Sequence, residues 1–162
     1  MIDAETDALA VRVLDACRAR RWTVATAESC TGGLVAAALT EIGGSSDVVD
    51  RGFVTYSNAA KMAMLGVPEA TLAVHGAVSK PTAEAMAKGA LERAGVDLTV
   101  SITGVAGPGG GSVKKPVGLV HFGAATRERL IHREKRYGDI GRSEVRRRSV
   151  IEALTMLLEL SA

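Results

Sequence analysis

The segment Trp22–Ile42, WTVATAESCTGGLVAAALTEI, decides the fold, because it joins an apolar run to a helical pattern through a polar turn. Trp22–Ala27 predicts a β-strand, and the apolar spacing in Leu34–Ile42 predicts a helix that the following glycine pair ends. A strand that leads through a tight turn into a helix is typical of α/β folds. The turn Thr26–Gly33 is therefore expected to present backbone N–H groups at the positive end of a helix dipole.

Two kinds of chemistry are open to this turn, which reads TAESCTGG over residues 26–33. A hydroxyl or thiol on Ser29, Cys30 or Thr31 can attack a substrate, and the neighbouring N–H groups can bind an anion. Glu28 either takes part as an acid or base, or accepts hydrogen bonds from the nearby backbone. The residues alone leave these alternatives open.

The rest of the chain alternates mostly between helices and strands. Helices are predicted over about 4–20, 58–65, 79–94 and 141–160, and strands over 48–57, 97–103, 117–125 and 129–136. The last two strands are expected to form an antiparallel hairpin. The pattern predicts a three-layer α/β/α sandwich with a mixed, mostly parallel five-stranded sheet, in a single domain over 1–162.

Composition argues against several classes of protein. A net charge of +2 and an aromatic content of 3% do not fit a nucleic-acid-binding surface with stacking platforms. No apolar run reaches about 18 residues and charges occur throughout the first turns of the chain, so we expect no membrane span, no secretory signal and a cytoplasmic location. No CxxC motif occurs and the histidines are dispersed, so no metal and no other cofactor is expected. Cys17 is expected to be a buried apolar residue.

Three polar or glycine-rich segments lie at predicted carboxyl ends of strands, namely 27–33, 55–58 and 103–111. Ligands of open α/β sheets bind beyond these ends, so the three segments together predict one cleft. Lys61 follows the second segment by about one helical turn, and a lysine of lowered pKa can act as the base for a serine nucleophile. Tyr56 can relay a proton, although an isolated lysine or tyrosine is more often an ordinary solvated or half-buried residue.

Two further features are open to more than one interpretation. Gly104–Ser112 is either a mobile surface connection or a loop whose backbone approaches a ligand, because glycine has no Cβ to obstruct the approach. The arginines that open the last helix oppose its dipole, so they bind an anionic ligand or a partner chain, or some pair with acidic residues such as Glu144. These arginines are Arg142, Arg146, Arg147 and Arg148.

In combination, several motifs resemble the CinA carboxy-terminal domain family, whose enzymatic members are nicotinamide-nucleotide amidohydrolases. The matching segments are AESCTGGL (27–34), VTYSNAAK (54–61), LGV (65–67), HGAVS (75–79), ITGVAGPGGG (102–111) and KPVG (115–118). They occur in the family's order over nearly the whole chain. The combination is specific for the family, whereas a single short motif such as GAVS or KPVG is not. The resemblance implies a stand-alone domain with a mixed five-stranded sheet.

The resemblance also implies a reaction, the hydrolysis of nicotinamide mononucleotide to nicotinic acid mononucleotide and ammonia. By position, Ser29 is the expected nucleophile, Lys61 its base and Tyr56 a proton relay, with Cys30 as the rival nucleophile. The other residues expected to bind the oxyanion or the substrate are Cys30, Thr31, Gly32, Asn58, Thr103, Gly104, Gly107, Gly109, Gly110, Arg142 and Arg146. The alternative is a non-catalytic nucleotide-binding or interaction domain of the same family.

The chain departs from the family pattern at two places. Many members have Gly-Asp-Arg before the last helix, whereas this chain has the longer Gly-Asp-Ile-Gly-Arg over 138–142, which weakens the assignment of Arg142. Arg51 stands where a glycine is common, outside the expected site. The expected partner is a small-molecule nucleotide, and self-association into a homo-oligomer is plausible for a small enzyme.

Overall fold

The computed structural model describes residues 2–162, and it contains six α-helices and five β-strands within that range. In chain order they are α1 Ala4–Arg20, β1 Val24–Glu28, α2 Leu34–Thr40, β2 Val49–Val54, α3 Asn58–Leu65, α4 Glu69–His75, α5 Lys80–Ala94, β3 Leu98–Gly104, β4 Leu119–Ala125, β5 Leu130–Arg136 and α6 Arg142–Ser161. A short 3₁₀ turn, Ser45–Asp47, lies between α2 and β2.

The strands form one sheet in the order β2-β1-β3-β4-β5. β1 pairs in parallel with both β2 and β3, whereas β4 is antiparallel to β3 and to β5. Four strands therefore point in one direction and β4 points in the other, which confirms the mixed, mostly parallel sheet. The carboxyl ends of β1, β2 and β3 meet at one edge of this sheet.

Helices cover both faces of the sheet and complete the three layers. On one face, alternate residues of the central strands, such as Val100 and Ile102, pack into the main apolar core with α1, α2 and α6. On the other face, Thr99 and Ser101 donate hydrogen bonds to the carbonyls of Ala87 and Ala83 in α5. The sheet therefore packs against α5 partly through polar contacts.

The helix that follows β2 begins at an N-cap provided by Ser57. Ser57 accepts a hydrogen bond from the N–H of Ala60 at 3.0 Å, which fixes the first turn of α3 directly after the strand end. Ser79 caps α5 in the same way, by accepting from the N–H of Thr82. The cap on α3 matters for the site, because this first turn carries Lys61.

Some element bounds differ from the prediction. The second helix ends at Thr40 rather than at Ile42, and β2 is shorter than the predicted 48–57. α4 was not predicted, because seven residues after Pro68 are too few to show a helical period. Within residues 2–162, no helix is both long enough and apolar enough to pass through a bilayer.

Candidate active site

A serine and a lysine meet at the carboxyl ends of β1 and β2. Ser29 follows β1 directly, and its N–H donates to the carbonyl of Ile102 in β3, so the residue is anchored to the sheet. Nζ of Lys61, on the first turn of α3, lies 2.9 Å from Oγ of Ser29. The structure therefore brings together two of the predicted catalytic residues, which are 32 positions apart in the sequence.

Lys61 is buried, with 1% of its surface exposed, although lysine is rarely found in such a position. Its Nζ donates to the carbonyls of Thr55 at 2.8 Å and of Tyr56 at 3.1 Å, in addition to its contact with Ser29. Burial lowers the pKa of Lys61 because desolvation disfavours the ammonium form. A lysine of lowered pKa in contact with a serine hydroxyl is the arrangement expected of a base and its nucleophile.

Cys30 occupies a different environment from its neighbour. Only 6% of the residue is exposed, and it packs in the apolar core beneath the turn. Burial raises the pKa of its thiol to about 12, and the negative charge of Glu28 acts in the same direction. Since the thiolate is the nucleophilic form of cysteine, this environment disfavours Cys30 as the attacking group.

Glu28 is fully buried and is a hydrogen-bond acceptor for the start of α2. Its carboxylate accepts from the backbone N–H groups of Gly33, Val35 and Ala36 at 2.9–3.2 Å, and from the hydroxyls of Thr26 and Thr31. Of the two predicted roles, the structure supports the acceptor role. The expectation that the first N–H groups of α2 are open to a ligand is wrong, because the chain's own carboxylate occupies them.

Replacing Glu28 by glutamine should lower the free energy of unfolding by about 2–4 kcal/mol, because the buried donors lose their charged acceptor. Glu41, exposed just after the end of α2, provides the matched control, and Glu41→Gln should change stability by less than about 0.5 kcal/mol. Urea denaturation of both variants measures the difference. If Glu28→Gln were as stable as Glu41→Gln, the carboxylate of Glu28 would not be what holds the turn.

Arg146, on α6, contacts the same turn. Its Nε donates to the carbonyl of Cys30 at 3.1 Å, and its Nη2 donates to the carbonyl of Thr31 at 3.4 Å. The side chain was expected to contact the substrate phosphate, but in this structure these donors hold the turn instead. Its interaction with the ligand therefore stays a prediction, while its contact with the backbone is observed.

The backbone N–H groups of the turn differ in their availability. The N–H of Gly32 donates to the carbonyl of Ser29 at 3.0 Å, so this predicted oxyanion donor is already occupied. The N–H groups of Cys30 and Thr31 donate to no acceptor within residues 2–162. They remain the candidates for binding an oxyanion beside Ser29.

A cleft of about 210 Å³ opens over the serine and the lysine. Its walls combine predicted and unpredicted residues, which are Ser29, Cys30, Tyr56, Lys61, Ala77, Val78, Thr103, Gly104, Ala106 and Arg142. The apolar wall is formed by Ala77, Val78 and Ala106. Ala106 belongs to the predicted segment 103–111, whereas Ala77 and Val78 were missed. Two of these residues lie in the motif HGAVS, which was noted for its resemblance but was assigned no role in the site.

Other predicted contact residues do not line this cleft. Asn58 is exposed on α3, and Gly109 and Gly110 are exposed in the glycine-rich loop. Gly107 is buried, and its carbonyl accepts a hydrogen bond from Arg142. Thr103 lines the cleft, but its hydroxyl donates to the carbonyl of Ala77 at 2.8 Å, so it orders the apolar wall.

The arginines of α6 fall into two pairs. Arg147 and Arg148 form ion pairs with Glu144, which was one of the predicted alternatives for these arginines. Arg142 and Arg146 instead face the cleft and the turn and contact uncharged oxygens. The longer Gly-Asp-Ile-Gly-Arg segment thus still places Arg142 at the first position of α6, beside the cleft.

Two other features lie away from the serine. His121 and His132 meet on the paired strands β4 and β5 with ring nitrogens 2.9 Å apart, yet no group of three or more metal-ligating side chains forms within residues 2–162. A cavity of about 520 Å³, larger than the cleft, lies at the amino ends of the parallel strands around Trp22 and Asp97. Among residues 2–162, no serine, cysteine, histidine or lysine lines it, so the chemistry is assigned to the smaller cleft.

Comparison with known proteins identifies the family of this chain. The family model described as the CinA C-terminal domain matches residues 6–161. The chain belongs to the CinA C-terminal domain family. The "competence/damage inducible protein CihA" from Agrobacterium tumefaciens superposes with a TM-score of 0.98 at 53% identity, covering 100% of this chain and 99% of that one. The family and the α/β fold predicted from the sequence are therefore confirmed.

Relatives within the CinA family differ in length and in name. A protein of Escherichia coli (strain K12) named "Nicotinamide-nucleotide amidohydrolase PncC" is 54% identical over 97% of this chain and 95% of its own length. A "CinA-like protein" of Synechococcus sp. (strain RCC307) is 52% identical over 95% of this chain, which spans only 37% of that relative. The CinA C-terminal domain thus occurs in proteins of two different lengths.

Proposed function

We propose that this chain is an amidohydrolase that converts nicotinamide mononucleotide to nicotinic acid mononucleotide and ammonia. The observation that carries the proposal is the contact of 2.9 Å between buried Lys61 Nζ and Ser29 Oγ at the floor of a cleft. The 54% identity to the E. coli protein named as a nicotinamide-nucleotide amidohydrolase supports the choice of substrate. The cleft has the volume for a carboxamide-bearing ring rather than for a complete nucleotide, so the ribose phosphate would extend toward the mouth.

In the first step, Ser29 Oγ attacks the carboxamide carbon and its proton passes to Nζ of Lys61. The carbonyl electron pair moves to the oxygen, which becomes an oxyanion stabilised by the N–H groups of Cys30 and Thr31. When the tetrahedral intermediate collapses, the C–N bond breaks and the lysine proton passes to the departing nitrogen. Ammonia leaves, and an ester of the nucleotide acid remains on Ser29.

In the second step, water attacks the ester carbon and gives a proton to the neutral Lys61. The bond between the ester carbon and Ser29 Oγ then breaks, and the lysine returns the proton to Oγ. The carboxylic acid of the product leaves as its anion after losing its own proton to solvent. Enzyme and lysine are restored to the state in which they began.

The carbonyls around Lys61 explain how one amine can serve both steps. A neutral amine donates two hydrogen bonds, and the carbonyls of Thr55 and Tyr56 accept them, which turns the nitrogen lone pair toward Ser29. After the lysine takes the proton, the same carbonyls stabilise its charge. Burial lowers the pKa of the lysine, so more of it is the neutral amine at a given pH than for an exposed lysine.

Release of ammonia from nicotinamide mononucleotide by the purified full chain, with no metal added, tests the proposal. We expect ammonia and nicotinic acid mononucleotide in equal amounts, at a turnover of about 1 s⁻¹ or more. Nicotinic acid mononucleotide, which lacks the amide, is the control substrate and should release nothing. Binding of the nucleotide without product over a long incubation would contradict the proposal and favour a non-catalytic binding domain.

The proposed reaction also bears on the partner and the location. Its partner is a small-molecule nucleotide, and we propose that the chain acts in the cytoplasm, where such nucleotides are made and used. Both cysteines are free and buried, which accords with a reducing compartment. The homo-oligomer expected from the sequence stays a prediction.

A further inference from the structure

Arg142 joins two walls of the cleft at its mouth. Its Nη1 donates to the carbonyl of Gly107 in the glycine-rich loop at 2.8 Å, and its Nη2 donates to the hydroxyl of Tyr56 at 3.1 Å. Tyr56 follows β2 and Gly107 lies in the loop after β3, so one guanidinium links these two segments.

The guanidinium of Arg142 has no charged partner in the free protein. Within residues 2–162 no carboxylate lies within ion-pair distance of it, whereas Arg147 and Arg148 on the same helix both pair with Glu144. Its two acceptors, a peptide carbonyl and a phenol, are neutral. Charge-assisted hydrogen bonds to a phosphate are stronger than such neutral contacts, so a dianion would displace them.

Tyr56 contacts the reactive pair with its backbone but not with its side chain. Its carbonyl oxygen lies 3.1 Å from Lys61 Nζ, while its hydroxyl is bonded to Arg142. The residue is 61% exposed, so little packing opposes a rotation of the ring. The hydroxyl that was predicted to relay a proton is therefore held by an arginine in the free protein.

We propose that Arg142 is a specificity-determining residue that links recognition of the substrate phosphate to the position of Tyr56. The phosphate takes the guanidinium from the Tyr56 hydroxyl and the Gly107 carbonyl. The ring of Tyr56 is then free to turn toward Ser29 and Lys61, where its hydroxyl relays the proton by giving its own to the departing nitrogen and taking that of Lys61 in exchange. This inference rests on the proposed function and adds that the phosphate activates the site as well as anchoring the substrate.

The activity on a nucleotide should therefore exceed the activity on the corresponding nucleoside by more than phosphate binding alone would give. Nicotinamide riboside has the same reacting carboxamide but no phosphate, so Arg142 would stay bonded to Tyr56. Phosphite, a small dianion, can supply the missing charge without being attached to the substrate. Addition of phosphite should raise kcat/KM for the riboside by about tenfold or more in the wild-type chain.

Two variants test the origin of that activation. In Arg142→Ala, phosphite should give no activation, and the mononucleotide should lose its advantage over the riboside. In Arg148→Ala, an exposed arginine of the same helix paired with Glu144, activation should persist. Equal activation in Arg142→Ala, or none in a wild-type chain that hydrolyses the mononucleotide, would overturn the inference.

A spectroscopic measurement separates this inference from the proposed function. The chain has two tyrosines, so ¹⁹F NMR of 3-fluorotyrosine-labelled protein gives two signals, and Tyr56→Phe assigns them. Phosphite should shift the Tyr56 signal in the wild-type chain and leave it unmoved in Arg142→Ala. A signal that does not respond in the wild-type chain would overturn the link, whereas absence of ammonia release would overturn the proposed function instead.

Discussion

Replacing Ser29 by alanine should lower kcat for nicotinamide mononucleotide by about 10³-fold or more, since no other group takes over covalent attack. The substitution removes one oxygen and keeps the backbone contact of residue 29 to Ile102, so the fold should be retained. The hydroxyl that is lost is the one whose oxygen lies 2.9 Å from Lys61 Nζ. Ammonia release under substrate saturation measures the loss, and circular dichroism verifies the fold.

The matched control is the neighbouring thiol. Cys30→Ala removes the rival nucleophile, and since this thiol packs in the core with a raised pKa, activity should remain within about tenfold of wild type. The cost should appear in stability instead, as a loss of about 1 kcal/mol from the smaller buried side chain. An inactive Cys30→Ala together with an active Ser29→Ala would reverse the assignment.

Replacing Lys61 by methionine should lower kcat by about 10²- to 10⁴-fold, the usual contribution of a general base. Methionine retains most of the apolar stem, so the loss reports the amine rather than the packing. In the wild-type chain, activity should rise with pH through the lowered pKa of Lys61, because the neutral amine is the active form. In Lys61→Met the residual activity should not show this rise.

The free energy of unfolding should also depend on the protonation of Lys61. Its change with pH should have the opposite sign to that caused by a salt-bridged lysine. Between the lowered pKa of folded Lys61 and the ordinary lysine pKa, the unfolded chain binds more protons than the folded chain. The free energy of unfolding therefore gains a contribution that increases with pH across this window. Lys61→Met should remove that contribution, whereas Lys88→Met, at an exposed position of α5, should leave it in place. Urea denaturation at the two ends of this pH window measures the contribution. If the free energy of unfolding of Lys61→Met changed with pH as much as that of the wild-type chain, Lys61 would be charged in the folded protein.

Local sequence signals account for most of the fold. Each of these signals acts over a few neighbouring residues, so a single sequence suffices to detect it. They are the apolar run before Glu28, the glycine pair that follows α2, and the N-caps Ser57 and Ser79. α4 was missed because its seven residues pack as one short helix, and tertiary contacts rather than periodicity define it.

The candidate site could be predicted in part, for a related reason. The resemblance assigned the roles of Ser29 and Lys61, and the position of their motifs at strand ends predicted that they converge in this class of sheet. The contact of Arg146 with the carbonyl of Cys30 joins residues 116 positions apart, and no local pattern reports such a contact. The role of Glu28 as acceptor for α2 depends on the direction of its side chain, which the residue type alone does not fix.

Acid-quenched mass spectrometry of the full chain mixed with nicotinamide mononucleotide tests the central claim most directly. The proposed mechanism predicts a covalent adduct with the mass of the nucleotide acyl group, and fragment ions should place it on Ser29 as an ester. The adduct should be absent from Ser29→Ala and present in Cys30→Ala. An adduct on Cys30, or wild-type turnover by Ser29→Ala, would contradict the assignment of Ser29 as the nucleophile activated by Lys61.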